Sequence, residues 1–315
     1  MELVITDGYT VNPGDLSWDG IAKFGNLHVY ERTSKEEVIS RCSKANIILT
    51  NKVPLDRQLI ENSHALKLIC VLATGYNIVD IDTAKKLNIP VCNVPAYGTM
   101  SVAQHAMALI LELTNQVGLH NLSVHNGDWY APQDWSYSRT DLIELNSKKL
   151  GLIGLGHIGE QLARIAKGFG MEILYHGPNK KQNTIGKFVS LKQLFSESDI
   201  VSLHCPLTRD NLEMVNAGLI SLMKPTAFLI NTARGQLINE ADLAEALQAE
   251  RIAGAALDVL SAEPPGKDNP LLTARNCIIT PHNAWKTRES RKRIISATEE
   301  NINKYLLHDP QNLVW

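Results

Sequence analysis

Short apolar runs recur along the chain, alternating with longer stretches whose apolar residues fall three and four apart. Runs at 3–6, 27–30, 47–50, 68–72 and 91–94 form one series, with a helical pattern at 34–43 inside it. A second series occupies 149–153, 172–175, 200–204, 227–231, 253–257 and 277–280. Runs this short, separated by helical segments, predict an α/β fold of two doubly wound parallel sheets with helices on both faces. Between the series lies Ser101-Val-Ala-Gln-His-Ala-Met-Ala-Leu-Ile-Leu-Glu-Leu113. Ser101 and Gln104 have capping-box spacing, and the helix after them is apolar nearly all round, so burial of both faces is expected. The last helical stretch, 288–307, has no layer left to cover in the second series and is expected to return to the first domain.

One run carries chemistry as well as fold. In Lys149-Leu-Gly-Leu-Ile-Gly-Leu-Gly-His-Ile-Gly159, the glycines Gly154, Gly156 and Gly159 have G-x-G-x-x-G spacing directly after a strand. The pattern Glu160-Gln-Leu-Ala-Arg-Ile-Ala-Lys167 behind them is helical. A dinucleotide pyrophosphate needs that order. The first glycine allows the tight turn, the second lets backbone approach phosphate, and the third lets helix and strand pack closely. The helix N-terminus then offers free N–H groups to the anion.

Composition narrows the partners. The 315 residues suit two domains, and 44% apolar content supplies two cores. A net charge of −2 gives no electrostatic reason to expect nucleic acid or an anionic membrane. No apolar stretch reaches the length of a membrane span, and the start, Met1-Glu-Leu-Val-Ile-Thr-Asp7, lacks a signal-peptide pattern. Cys42, Cys70, Cys92, Cys205 and Cys277 are odd in number and scattered, which favours reduced thiols and a cytoplasmic location. No metal site is expected, because the ten histidines show no H-E-x-x-H or Cys/His spacing. The aromatic segment 126–137, with Trp129, Tyr130, Trp135 and Tyr137, reads as a contact surface.

Ligands of open parallel sheets bind beyond the carboxyl ends of the strands. On that edge of the second series stand His204-Cys205-Pro206, Thr232-Ala233-Arg234, Asp258 and Pro281-His282, with Glu263 in the loop Ser261-Ala-Glu-Pro-Pro265. Reduction of a 2-keto acid by a nicotinamide needs a cation for the carboxylate, a proton donor for the carbonyl oxygen and a hydride carrier. Arg234 offers the planar fork, His282 the proton, and Glu263 a carboxylate to hold the ring and favour its charged form. Asp258 is placed to accept from the nicotinamide carboxamide. Each residue also has an ordinary structural use, as a surface ion pair or a loop cap.

With these residues in view, the whole chain resembles the D-isomer-specific 2-hydroxyacid dehydrogenases. The resemblance rests on Ala73-Thr-Gly-Tyr-Asn-Ile-Val-Asp80, Leu152-Ile-Gly-Leu-Gly-His-Ile-Gly159, His204-Cys-Pro-Leu-Thr208, Asn231-Thr-Ala-Arg-Gly235, Ala256-Leu-Asp-Val259, Ala262-Glu-Pro264 and Thr280-Pro-His-Asn-Ala-Trp285. The opening Thr6-Asp-Gly-Tyr-Thr-Val-Asn-Pro-Gly-Asp-Leu-Ser-Trp18 is similar to the glycerate dehydrogenase, or hydroxypyruvate reductase, branch. The resemblance implies Arg234, Glu263 and His282 as catalytic residues. It implies substrate contacts at Ala73, Thr74 and Gly75, and cofactor contacts at Thr74, His157, Ile158, Cys205, Thr232, Ala233, Asp258 and Ala284 beside the glycine run. The implied fold is a Rossmann dinucleotide-binding domain, 99–286, inserted into a flavodoxin-like substrate domain, 1–98 and 287–315. A homodimer is implied, with Trp135 a candidate to reach the partner's active site.

Two positions depart from the family pattern. Gly177 stands where NAD-preferring members carry an acid for the ribose hydroxyls, and Lys180 and Lys181 follow it. The arginine of NADP-specific members is absent as well. The cofactor is therefore NAD or NADP, with the balance toward NADP. Asn283 replaces the usual apolar neighbour of the histidine. The expected activity is reduction of hydroxypyruvate to D-glycerate. Glyoxylate and other 2-keto acids are alternatives within the enzyme class, and a dinucleotide-sensing binding protein is the alternative outside it. Formate oxidation is disfavoured, since similar formate dehydrogenases carry glutamine where Glu263 stands.

Overall fold

Apolar runs without helical spacing form the strands of two separate parallel sheets. The computed structural model describes residues 1–130, 134–182 and 185–315. The chain divides into a unit of Met1–Gly98 with Lys286–Trp315 and a unit of Thr99–Trp285. In the first, β1 (Glu2–Ile5), β2 (Asn26–Val29), β3 (Ile47–Thr50), β4 (Leu68–Val71) and β5 (Val91–Cys92) lie in the order β2-β1-β3-β4-β5. All neighbours are parallel. Every residue of β3 and β4 is buried, as strands covered on both faces require. Edge strand β2 is largely exposed. The core gathers Val4, Ile48, Leu59, Ile69 and Val71.

The closing helix of this unit, Arg288–Leu306, buries Ile294, Ile295 and Ile302. It also buries Arg291, which costs stability unless the charge is paired. Asp15 supplies the pair, with both carboxylate oxygens on the guanidinium at 2.6 and 2.8 Å, and the Val11 carbonyl accepts a further hydrogen bond. The predicted helix at 34–43 shortens to Val38–Cys42. The Glu37 carboxylate accepts the Ser34 N–H at 3.0 Å, so the residues before Val38 close a turn instead.

The second unit holds β6 (Lys149–Ile153), β7 (Glu172–His176), β8 (Lys187–Phe188), β9 (Ile200–Leu203), β10 (Phe228–Asn231), β11 (Gly254–Leu257) and β12 (Cys277–Ile279). Their order is β12-β11-β10-β9-β6-β7-β8, all parallel. The order reverses between β6 and β9, which places the switch-point crevice at the end of β6. Strand β8 was not predicted; at two residues it is too short to show a period. Phe188 packs against Tyr175 with ring centroids 5.4 Å apart.

Helix Thr99–Asn115 begins two residues before Ser101, which is buried inside the first turn rather than standing at the N-cap position. This corrects the capping-box expectation. Burial of both faces holds for most of the circumference, but Met100, Gln104 and Ala108, spaced by four, form an exposed stripe. The buried side packs on helix His157–Gly168 and on β10 and β11.

Candidate active site

The glycine run follows β6 at the switch point. Gly154 has a φ of +93°, and a β-carbon there would lie 2.8 Å from the Cys205 nitrogen. A β-carbon at Gly159 would stand 2.3 Å from the Gly154 carbonyl oxygen, so the helix can approach the turn only through glycine. Gly156 faces open space, with nothing within 4 Å of a β-carbon built on it. It is the N-cap of the 12-residue helix His157–Gly168 and has no side-chain cap. His157 and Ile158 open that helix. The uncapped N–H groups and the dipole end are therefore available to an anion.

At the end of β7, Gly177 carries no charge and also borders open space. The buried Tyr175 hydroxyl accepts the Lys181 N–H at 2.9 Å and donates to the Lys181 carbonyl. That anchor turns the Lys181 ammonium back onto the Leu155 carbonyl, inside the glycine run. Among the described residues, no partner of this kind holds the Lys180 side chain, which is exposed.

The strand ends of β10, β11 and β12 supply the other charged groups. After β10, the Asn231 side chain closes a turn: its oxygen accepts the Ala233 N–H at 2.9 Å, and its amide donates to the Arg234 carbonyl at 2.8 Å. Arg234 is exposed and donates to the Ala233 carbonyl at 2.7 Å. Gly235 packs on the loop after β11 so closely that a β-carbon would lie 1.9 Å from the Leu260 carbonyl carbon. The arginine turn and the Glu263 loop are thus locked together. Glu263 accepts the Leu260 N–H through one oxygen at 3.1 Å and meets His282 Nδ1 through the other at 2.5 Å. A carboxylate only accepts, so Nδ1 carries the hydrogen and Nε2 is the nitrogen free to exchange a proton.

His282 itself has a φ of +49°, a region that is rare outside glycine, though histidine is among the residues enriched there. The conformation is held by Asp258. Its backbone carbonyl accepts the His282 N–H at 2.8 Å. Its carboxylate accepts the Asn283 and Ala284 N–H groups, both at 3.0 Å, and the Thr280 hydroxyl at 2.6 Å. Asp258 is 1% exposed. Asp258 therefore shapes the histidine loop.

At the end of β9, Cys205 borders Gly154, and the Thr232 hydroxyl beside β10 is buried with no hydrogen-bond partner among the described residues. An orphaned hydroxyl, uncapped helix N–H groups and open space at Gly156 on one sheet edge are what an anionic, hydrogen-bonding dinucleotide would satisfy. The residues fit that cofactor. Burial holds the His204 imidazole down to about 4, with Ser202 Oγ 2.8 Å from its Nε2. The unfolded chain binds a proton there near pH 6.5 and the folded chain does not, so stability falls as pH drops from 6.5 toward 4. Between pH 7 and pH 5 this group is expected to remove about 2 kcal/mol. Urea denaturation of the wild type and His204→Asn at both pH values measures it, and equal losses in the two proteins would count against the assignment.

Ala73, Thr74 and Gly75 lie in the first unit, just beyond β4. The Ala73 carbonyl accepts the Val94 N–H at 3.0 Å, and the Thr74 hydroxyl donates to the Val94 carbonyl at 2.9 Å. In the aromatic segment, residues 131–133 lie outside the described residues. Trp129, Tyr130 and Trp135 are 50%, 83% and 93% exposed, whereas the Tyr137 hydroxyl is 2.6 Å from Ser123 Oγ. One residue of the site escaped the sequence reading. His105, on the helix Thr99–Asn115, places Nε2 3.1 Å from Thr280 Oγ1. Its signal was a lone titratable side chain on an apolar helix.

Comparison with known proteins gives the same direction throughout. The family described as D-isomer specific 2-hydroxyacid dehydrogenase, NAD binding domain, matches residues 107–284. A hydroxypyruvate reductase of Blautia hydrogenotrophica is 46% identical, across 100% of this chain and 99% of its own. Among solved structures, the D-lactate dehydrogenase of Aquifex aeolicus, complexed with NAD and lactic acid, superposes with a TM-score of 0.86 at 31% identity, covering 100% of this chain and 99% of that one. An acyclic imino acid reductase, Bsp5, in complex with NADPH and D-Arg, gives a TM-score of 0.88 at 32% identity with full coverage of both chains.

Proposed function

The chain belongs to the D-isomer-specific 2-hydroxyacid dehydrogenase family, and from that membership we propose that it reduces a small 2-keto acid, with hydroxypyruvate to D-glycerate the favoured reaction. The observation that carries the proposal is the 2.5 Å contact of Glu263 with His282 Nδ1, on the loop neighbouring the Arg234 turn. Unit Thr99–Trp285 takes the dinucleotide. When bound, the reduced nicotinamide supplies the hydride for the carbonyl carbon. Arg234 grips the substrate carboxylate and carbonyl oxygen with its fork. His282 delivers the proton on Nε2 to the oxygen as it gains charge, and Glu263 orients the ring and stabilises its charged form. In the reverse direction the hydroxyl of the 2-hydroxy acid gives its proton back to the same nitrogen as the carbonyl forms. The relative from Blautia hydrogenotrophica supports hydroxypyruvate over glyoxylate. Steady-state rates on the two acids test the order, and a higher kcat/KM on glyoxylate would reverse it.

The cofactor reading extends to NADP. Gly177 leaves no carboxylate to repel a 2′-phosphate, and Lys181 is anchored beside the glycine run by Tyr175. NADPH is expected to bind more tightly than NADH, and Gly177→Asp to weaken NADPH by about tenfold or more through like-charge repulsion. Fluorescence titration of both nucleotides reads this, and tighter NADH binding by the wild type would overturn it. The exposed aromatics Tyr130 and Trp135, with Val117 and Leu122 on the preceding helix, exceed what a lone surface needs, and they support a homodimer through this unit. Light scattering at about the mass of one 34.8 kDa chain would rule the dimer out. Five cysteines without a disulfide among the described residues support a reducing, cytoplasmic location.

A further inference from the structure

The loop that carries His282 is held by one buried carboxylate, and a histidine on the helix Thr99–Asn115 stands within reach of it. Asp258 accepts two backbone N–H groups and the Thr280 hydroxyl, while His105 Nε2 stands 3.5 Å from its Oδ1. The proton inventory fixes the direction of every bond. Thr280 has a single hydroxyl hydrogen, and the 2.6 Å contact commits it to Asp258 Oδ1. Thr280 Oγ1 must then accept from His105, so His105 carries its hydrogen on Nε2. The chain of contacts runs His105 to Thr280 to Asp258, and from Asp258 to the backbone of residues 282, 283 and 284. His105 comes from helix Thr99–Asn115, which packs on β10 and β11; the relay ties the histidine loop to a rigid element of the core.

The geometry points to His105 as a positioning residue for His282, acting through the Thr280 hydroxyl and the Asp258 carboxylate. The inference rests on the dehydrogenase reading for its kinetic consequence but not for its structural one. Without the His105 donor, Thr280 Oγ1 can rotate away from Asp258, one acceptor bond is lost, and the positive-φ conformation at His282 is less firmly imposed. The imidazole still binds Glu263, but less of the population presents it to substrate. The effect falls on turnover and leaves substrate capture by Arg234 in place.

His105→Ala, His105→Gln and Thr280→Val test this in the full chain. His105→Ala is expected to lower kcat roughly tenfold, the scale of one lost hydrogen bond at a strained site, with KM for hydroxypyruvate and the NADPH dissociation constant changed less than about twofold. His105→Gln, whose amide can donate to Thr280 Oγ1, should recover most of the loss. Thr280→Val should match His105→Ala, and the double variant should be no worse than the poorer single one, because both break the same relay. Amide hydrogen exchange at Asn283 and Ala284 should speed up in His105→Ala and be restored in His105→Gln. Unchanged exchange and kcat in His105→Ala, additive losses in the double variant, or a glutamine variant no better than alanine would each overturn the relay. If the wild type reduces no 2-keto acid, the dehydrogenase reading fails while the exchange measurement still decides the relay.

Discussion

His282→Asn is expected to lower kcat by roughly 10²–10⁴-fold, the span that a positioned general acid contributes. Asparagine suits the test because it tolerates the +49° φ that the loop imposes on this position. It can still donate an amide hydrogen toward Glu263, but it cannot deliver a proton to an oxygen gaining negative charge. The backbone bonds from Asp258 to residues 282, 283 and 284 do not involve the side chain, so the loop should keep its shape. Nucleotide affinity is therefore expected to stay within about twofold of the wild type, since a spectator side chain contributes little. Steady-state kinetics with hydroxypyruvate and either nucleotide supply the measurement. A variant with near-normal turnover would remove His282 from the chemistry.

Arg234→Lys is expected to cost about a hundredfold in kcat/KM for the keto acid, on the scale of a truncated charge pair. Lysine keeps the charge and loses the fork. Among the described residues, Arg234 spends one donor, on the Ala233 carbonyl, which leaves the rest of the guanidinium for a ligand. The turn that carries it is set by Asn231 and by the approach of Gly235 to Leu260, and neither depends on the arginine side chain. Nucleotide binding, measured by fluorescence, should be unchanged. Equal losses in nucleotide affinity and keto-acid kcat/KM would mean that the arginine supports the fold and does not clamp the substrate.

Much of the architecture was readable from periodicity, because strands buried on both faces are written as continuous apolar runs. Runs 47–50 and 149–153 coincide with β3 and β6, and most others lose a residue at one end, where the chain turns out of the sheet. Strand β8 was not readable because two residues carry no period. The turn at 35–37 was hidden because the Glu37 side chain competes for the Ser34 N–H, a local bond that hydrophobic spacing does not report. Within the site, the glycine run was legible because its steric demands act on adjacent residues. The demand on Gly235 shows only once the Leu260 backbone is seen beside it. The Asp258 relay could not be read at all: His105 and Thr280 are 175 positions apart. No spacing rule joins them, and Asp258 shows its structural task only when the His282 loop is folded around it.

The central claim is a hydride transfer completed by a proton from His282, and product analysis addresses it most directly. The wild-type protein is to be mixed with hydroxypyruvate and a slight excess of NADPH, then with NADH, following absorbance and resolving the glycerate formed on a chiral column. One nucleotide is expected to be oxidised for each glycerate made, with D-glycerate as the sole product. Tight nucleotide binding with no oxidation, or L-glycerate as the product, would contradict it.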